Sequence, residues 1–398
     1  MSAFYGAAET RDPAAREEAL MAQLSATVAA ARAAPAWAER LPAADVASRA
    51  ALAALPVMRK TDIMTLQAAA PPFGGLLPSA DVARIFVSPG PVLVAEGAGV
   101  DPWGAARALY AAGIRPGMRA ANTFGYHATP GAFILESGLR ALGCPIFAAG
   151  PGSASEAIAT LNAIAPTVYC GVPDYLNRLQ DVAEGGTALS FTHAMVSGAA
   201  LPPALRARIE ARGVQVSQCY ATADLGVVAY ESAAREGLIV NEDIILEIVR
   251  PGTGDPVPDG EVGEVVVTRL SSTTPMIRLA TGDLSAVLPG PSPCGRTNTR
   301  IKGWMGRADQ RTKVKGMFVD PAQIAAIRAR HPELTGARLV VTRADHVDAM
   351  TLQVTGPADP AAVTATLKAV TNLSGAVAVV EALPNDGKVI ADERPVEG

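Results

Sequence analysis

The sequence is sparing in several respects, and each shortage excludes something. Aromatic residues make up 5% of the 398 residues and the basic residues are scattered under a net charge of −4, so the electrostatic footprint of a nucleic-acid binder is missing. No long uncharged run escapes interruption by Pro or Gly, which argues against membrane insertion, and Met1 to Asp12 carries no basic patch followed by an apolar stretch. The expectation is a cytoplasmic protein with small-molecule partners, no nucleic acid and no membrane. The four cysteines, Cys144, Cys170, Cys219 and Cys294, are widely spaced, which fits reduced thiols better than a disulfide framework. Burial as small apolar side chains is expected for the first three.

What is present is apolar content of 49%, enough for a full core and more than one domain. Asp12-Pro13 followed by Leu20, Leu24 and Val28 reads as an N-cap, a first-turn proline and an apolar stripe. From Asp101 to Cys170 the pattern alternates: helix at Trp103 to Ala112, strand at Met118 to Thr123, helix near Ala132 to Leu142, strand at Pro145 to Ala148, helix from Ser155 to Ala163, and an apolar piece at Thr167 to Cys170. Such alternation predicts α/β layering on a largely parallel sheet. Ile244 to Val249 and Glu264 to Leu270 are β-rich runs around a Pro/Gly/Asp-rich connection and read as antiparallel strands. After the polar stretch Arg307 to Lys315 a compact pattern follows: helix from Pro321, strands at Arg338 to Thr342 and Met350 to Val354, helix from Pro360, strand at Ala376 to Val380. The expected fold class is α/β: a large N-terminal domain, 1–308, with a mainly parallel sheet and an antiparallel segment, and a small α+β domain, 309–398.

Certain segments carry chemistry through their order and spacing. They are Tyr220-Ala-Thr-Ala-Asp-Leu-Gly226, Ile277-Arg-Leu-Ala-Thr-Gly-Asp283, Gly306-Arg-Ala-Asp309 continuing to Lys315-Gly316, and Pro384-Asn-Asp-Gly-Lys388. With Leu55-Pro56-Val-Met-Arg-Lys-Thr-Asp62, Thr167-Val-Tyr-Cys-Gly-Val-Pro173 and Cys294-Gly-Arg-Thr297, they resemble the phenylacetate-CoA ligase branch of the adenylate-forming, AMP-binding enzymes over nearly the whole chain. The resemblance implies a reaction in two halves: a carboxylate attacks the α-phosphate of ATP to give an acyl-adenylate, and coenzyme A then displaces AMP. It implies a small C-terminal domain that rotates between the halves, ATP, Mg and coenzyme A as cofactors or substrates, and a possible homodimer.

Residue by residue, the resemblance gives Asp283 to the ribose hydroxyls, where two acceptor oxygens suit a vicinal diol. It gives Tyr220 to the adenine face, with Ser88, Gly90, Ser197, Gly198, Ala221 and Thr222 completing the nucleotide site. Arg307 becomes a nucleotide contact, Asp309 the hinge, Lys388 the lysine on the α-phosphate and carboxylate oxygens, and Asp224 the Mg ligand. Phe124, Tyr126 and His127 are the expected acid-pocket residues.

The chain also departs from that pattern. Where the family has a loop of the form S-S-G-T-T-G-K-P cradling the ATP β- and γ-phosphates, it reads Ser88-Pro89-Gly90-Pro91, and each proline removes a backbone donor. Charge-assisted hydrogen bonds contribute roughly 1.5–3 kcal/mol each, so losing two or three costs on the order of 5 kcal/mol, ~10³–10⁴ in affinity or rate. Arg59, Lys60 or Lys313 are the candidate compensators. Asp224 replaces the usual Glu, Ala223 a hydroxyl residue, and Ala221 the glycine after the tyrosine. Some relatives hold a structural zinc with cysteines and a histidine; here Ser232, Ile239 and Ser292 stand where ligands are expected beside Cys294, and one thiolate does not make a tetrahedral site, so no zinc is expected. The leading expectation is an acid-CoA ligase acting on a small, possibly aromatic, carboxylic acid. The runner-up is a catalytically degenerate member that binds AMP, an acyl-adenylate or an aromatic carboxylate, and a third reading passes the acyl group to a carrier protein or amine.

Overall fold

The computed structural model describes residues 3–88, 90–184, 186, 188–308, 310, 312–314, 317–344 and 347–394, without the side chains of Lys313, Phe318, Ala344 and Val347. It divides into two compact units, each discontinuous in sequence: 1–246 with 267–281 and 288–304, and 247–266 with 282–287 and 305–398. The second unit thus takes in two short stretches that lie before residue 309.

In the first unit Asp12 opens the helix Pro13–Ala31 as anticipated, its Oδ1 accepting from the amides of Ala14 at 2.9 Å and Ala15 at 3.2 Å, which satisfies two of the orphan donors of the first turn. The nine-stranded sheet is mixed. Ile146–Ala148, Ala120–Asn122, Val168–Gly171, His193–Val196 and Gln215–Thr222 lie parallel in that spatial order. Helices Gly131–Ala141, Ala154–Ile164, Pro173–Ala183 and Pro203–Glu210 alternate with them along the chain. Gly226–Glu231, Leu238–Val240 and Arg300–Ile301 then continue antiparallel. Strands buried on both faces read as near-continuous apolar runs, and Val168–Gly171 is buried throughout. Leu161, Leu176, Leu179, Phe191, Val196 and Val216 fill the core between this sheet and its helices.

The helix foreseen from Trp103 begins instead at Ala105. Gly104 has φ +68, and a Cβ there would come within 2.5 Å of the Asn241 amide. Asp101 caps the helix from further back, accepting from Ala105 and Ala106 amides at 3.0 and 2.8 Å. An antiparallel hairpin, Val82–Val87 with Leu93–Gly97, carries the Ser88–Val92 turn at its tip.

In the second unit a four-stranded sheet runs in the order Ala376–Val379, Val347–Thr355, Gly336–Ala344, Ile390–Asp392. Helices Pro321–Arg330 and Pro360–Thr371 pack Ile324, Ile327, Val363 and Leu367 against Leu339, Val341, Leu352 and Val354 of that sheet. Parallel and antiparallel pairs both occur, the small α+β arrangement that the sequence pattern suggested.

Candidate functional site

The motif residues fall into two groups, one in each unit. In the first unit, Tyr220, Ala221 and Thr222 end the strand Gln215–Thr222, where the register shifts between Tyr220 and Ala221. Asp224 occupies the turn into Gly226–Glu231, and that turn is fixed. Gly226 has φ +76 and a Cβ there would meet the Trp103 carbonyl at 2.6 Å, while the Val227 amide donates to the same carbonyl at 2.9 Å.

The Asp224 side chain is 2% exposed, and the Lys60 Nζ stands 2.9 Å from its Oδ2. The contact is ionic: neither Asp224 oxygen accepts a directed hydrogen bond from a described residue, and the buried Thr222 Oγ1 is likewise without one. Among the described residues no group of three or more His, Cys, Asp or Glu side chains converges to hold a metal ion. The carboxylate expected to take Mg already faces an ammonium, so as placed these side chains do not fit a divalent ion.

The Ser88–Val92 turn spends its own donors. The Ser88 amide gives to the Val92 carbonyl at 2.8 Å, and the Val92 amide gives to the Ser88 Oγ at 3.3 Å. Ser88 is 2% exposed, and Pro91, like Pro89 outside the described residues, has no amide hydrogen to give. Gly90 alone in this turn keeps an amide with no described partner. The Ser88 and Val92 amides of this turn are used to close the hairpin.

Around the expected acid pocket, Asn122 at the end of its strand donates to the Tyr126 hydroxyl at 3.0 Å and to the Ala132 carbonyl at 2.9 Å. Its Oδ1 accepts from the Phe124 amide at 3.3 Å. The Tyr126 ring meets Phe133 edge-on at 5.3 Å, and Phe133 lies 5.0 Å from Phe86. Burial, reinforced by a hydrogen bond to Glu136, pushes the Tyr126 phenol above its ordinary value and keeps it neutral. Phe124 packs where the side chain of Gly198 would be, its ring 3.5 Å from that Cβ position, and Gly198 has φ +76. The structure therefore brings together a residue expected in the acid pocket and one expected in the nucleotide site. Ser197 is committed to the fold, its Oγ donating to the Cys219 carbonyl at 2.9 Å. His127 is exposed, its ring folded over Gly125.

In the second unit, Asp283 and Arg307 form an antiparallel bridge held by Leu284 N–H to Gly306 O at 2.8 Å and Ala308 N–H to Gly282 O at 2.7 Å. That register sets the Arg307 Nη1 3.1 Å from the Asp283 Oδ1. Gly282 has φ +75, and a Cβ there would lie 2.5 Å from the guanidinium. Asp309 falls outside the described residues.

Lys388 is exposed at the rim of a cleft of about 810 Å³ that also contains Arg250, Arg328 and Arg338. Its loop is pinned: the Gly387 carbonyl accepts from Gln310 at 2.9 Å, Asn385 accepts from the Val262 amide at 3.2 Å, and Asp386 pairs with Arg338 at 2.6 Å. The three arginines in this cleft escaped sequence reading because no motif links them.

Of the compensators named from sequence, Lys60 meets Asp224, Arg59 N-caps the helix Lys60–Ala69, and the Lys313 side chain lies outside the described residues. The cysteines are free. Beside Cys294 stand Ser292 at 3.1 Å and Arg296 at 3.6 Å. Burial raises that thiol, but hydrogen bonds from Ser232, Ser292 and Arg296 outweigh it and lower the value to about 7.

Comparison with known proteins bears on the family and the fold. The family model described as AMP-binding enzyme matches residues 126–274. The phenylacetate-coenzyme A ligase of Thermus thermophilus is 31% identical over 319 residues, 75% of this chain and 71% of the relative. That of Escherichia coli is 29% identical over 297 residues, 70% and 67%. A crystal structure of 2-hydroxyisobutyryl-CoA ligase in an open conformation, with 2-HIB-AMP and CoA, superposes with a TM-score of 0.74 at 24% identity over 95% of this chain and 91% of that one. Its thioesterification state superposes at 0.72 over 99% and 93%. At that identity the structural likeness concerns the fold, and the curated relatives decide the family. This chain belongs to the phenylacetate-CoA ligase branch of the adenylate-forming, AMP-binding enzymes.

Proposed function

We propose that this chain activates a small carboxylic acid as its acyl-adenylate and passes the acyl group to coenzyme A. The observation that carries the reading is the Asp283–Arg307 bridge: a carboxylate with 13% side-chain exposure beside a guanidinium exposed to 52%. It sets a carboxylate suited to a ribose diol beside a cation suited to a phosphate. Family membership supplies the reaction. The acid's carboxylate attacks the α-phosphorus of ATP, pyrophosphate leaves, and the thiol of coenzyme A then displaces AMP at the acyl carbon. Arg307 and Lys388 bear on the negative charge that builds at the phosphate, where fixed cations stabilise a transition state most. Tyr220 provides a face for adenine. The aromatic group of Phe124, Tyr126, Phe133 and Phe86 supports an acid bearing an aromatic ring. A pivot at Asp309 between the two half-reactions belongs to the same proposal.

A second reading has a specific observation in its favour. With the Ser88 and Val92 amides spent on their own turn, a pyrophosphate leaving group finds few donors, while an AMP or acyl-adenylate pocket loses nothing. On this reading the chain binds an adenylate without making one. Pyrophosphate release in the presence of ATP, magnesium, coenzyme A and a panel of aryl and short-chain acids separates the two: release stimulated by one acid class supports the ligase, and AMP binding without release across the panel supports the binder.

A further inference from the structure

We propose that Lys60 is the built-in counter-ion of Asp224, standing in for a divalent cation, so that the adenylate site of this chain binds its nucleotide without one. The inference rests on reading this strand end as a nucleotide site, and goes beyond that reading.

Both partners are held by backbone rather than by side-chain chance. Lys60 opens the helix Lys60–Ala69, whose start is fixed by Asp62 accepting from the Arg59 amide at 2.9 Å. Met58 is stitched to a strand on both sides, its amide giving to the Arg278 carbonyl and its carbonyl accepting from Ala280, each at 2.9 Å. Asp224 is held by the Gly226 turn described above. The ammonium therefore reaches the carboxylate from a backbone position that is fixed.

The chemistry of the pair disfavours a metal. A buried carboxylate is costly unless paired, and this one, 2% exposed, has its partner at 2.9 Å. Magnesium demands six oxygen ligands near 2.0–2.1 Å and gives up water reluctantly. Aspartate reaches one methylene less far than glutamate, and an ion drawn to the buried Asp224 would stand against the Lys60 ammonium, a like charge on a side chain that is itself 38% exposed. The lysine is a compact point charge that needs no hydration shell completed by the protein. Asp224 and Lys60 neutralise one another before any ligand arrives.

The test uses the full chain and manganese as probe, followed by electron paramagnetic resonance of the free ion. The wild type and Lys60→Arg are expected to take up no stoichiometric manganese. Lys60→Met, which keeps the stem and removes the charge, gains a site that Lys60→Met combined with Asp224→Asn loses again. In parallel, AMP affinity of the wild type is expected to change by less than about twofold between EDTA and excess magnesium. Stoichiometric manganese on the wild type that Asp224→Asn abolishes would overturn the proposal. So would an AMP affinity that falls more than about tenfold in EDTA. If AMP binds under neither condition, the nucleotide reading fails, and the manganese titration still decides whether Lys60 excludes a cation. Circular dichroism of each variant separates loss of fold from loss of the ion pair.

Discussion

The Ser88–Val92 turn and the Asp283–Arg307 bridge both carry residues that the proposed function places at the nucleotide, yet they are built differently. In the turn, the Ser88 amide is spent on the Val92 carbonyl and the Val92 amide on the Ser88 hydroxyl, so that both close a hairpin. In the bridge, strand register and a glycine at φ +75 keep a carboxylate and a guanidinium side by side at the surface. A phosphate loop works through unspent backbone donors, so a deletion there removes chemistry directly. A bridge works through side chains that register positions, so its chemistry stays with those side chains rather than with backbone donors. The two regions predict a chain that holds the AMP moiety better than it holds the pyrophosphate.

The largest effect should come from breaking the contrast at its weak side. Inserting Thr-Thr-Gly-Lys after Gly90 restores two or three charge-assisted donors, and ATP affinity measured by calorimetry should rise by up to ~10³ with AMP affinity unchanged. No gain would mean the loop is not the determinant. Gly282→Ala attacks the strong side: a left-handed conformation for alanine costs about 1–2 kcal/mol, and the added methyl displaces Arg307. Thermal melting should drop by several degrees and AMP bind roughly tenfold more weakly; unaltered AMP binding would detach Arg307 from the nucleotide.

Smaller still is Tyr126→Phe, which removes the hydroxyl's hydrogen bonds with Asn122 and Glu136 and should raise the KM for an aromatic acid about fivefold at constant kcat. The smallest concerns Cys294. Its folded value of about 7 lies below the ordinary thiol range, so the thiolate adds stability at high pH that is lost as pH falls through 7. Iodoacetamide labelling should accelerate through pH 7 and level off above it, and Cys294→Ser should flatten the pH dependence of melting without touching AMP binding.

Sequence reading reached the fold wherever one local rule governed a segment. Asp12-Pro13 announced its helix because cap and proline act within four residues. Ile244–Val249 was found to the residue, since a β-rich run between polar breaks is a local signal. The start at Ala105 was missed because a contact between Gly104 and the distant Asn241 sets it. The hairpin Val82–Val87 with Leu93–Gly97 was missed because its Ser88-Pro-Gly-Pro-Val92 connection is not one of the two-residue Asn-Gly or Asp-Gly turns that signal a hairpin. Asp283 and Arg307 were legible as separate motifs, but their juxtaposition depends on pairing across residues distant in sequence. Lys60 was named only as one of three spare cations; that it meets Asp224 follows from the stitching of Met58 to Arg278 and Ala280, which no spacing rule encodes.

The account turns on one measurement: calorimetric titration of the purified chain with AMP, repeated on Asp283→Ala. Loss of two hydrogen bonds to a charged acceptor should weaken AMP by about 10²–10³ in the variant, against saturable one-site binding in the wild type. Equal affinity in both, or no AMP binding by the wild type, would contradict the claim that this chain keeps a working adenylate site on the Asp283–Arg307 bridge.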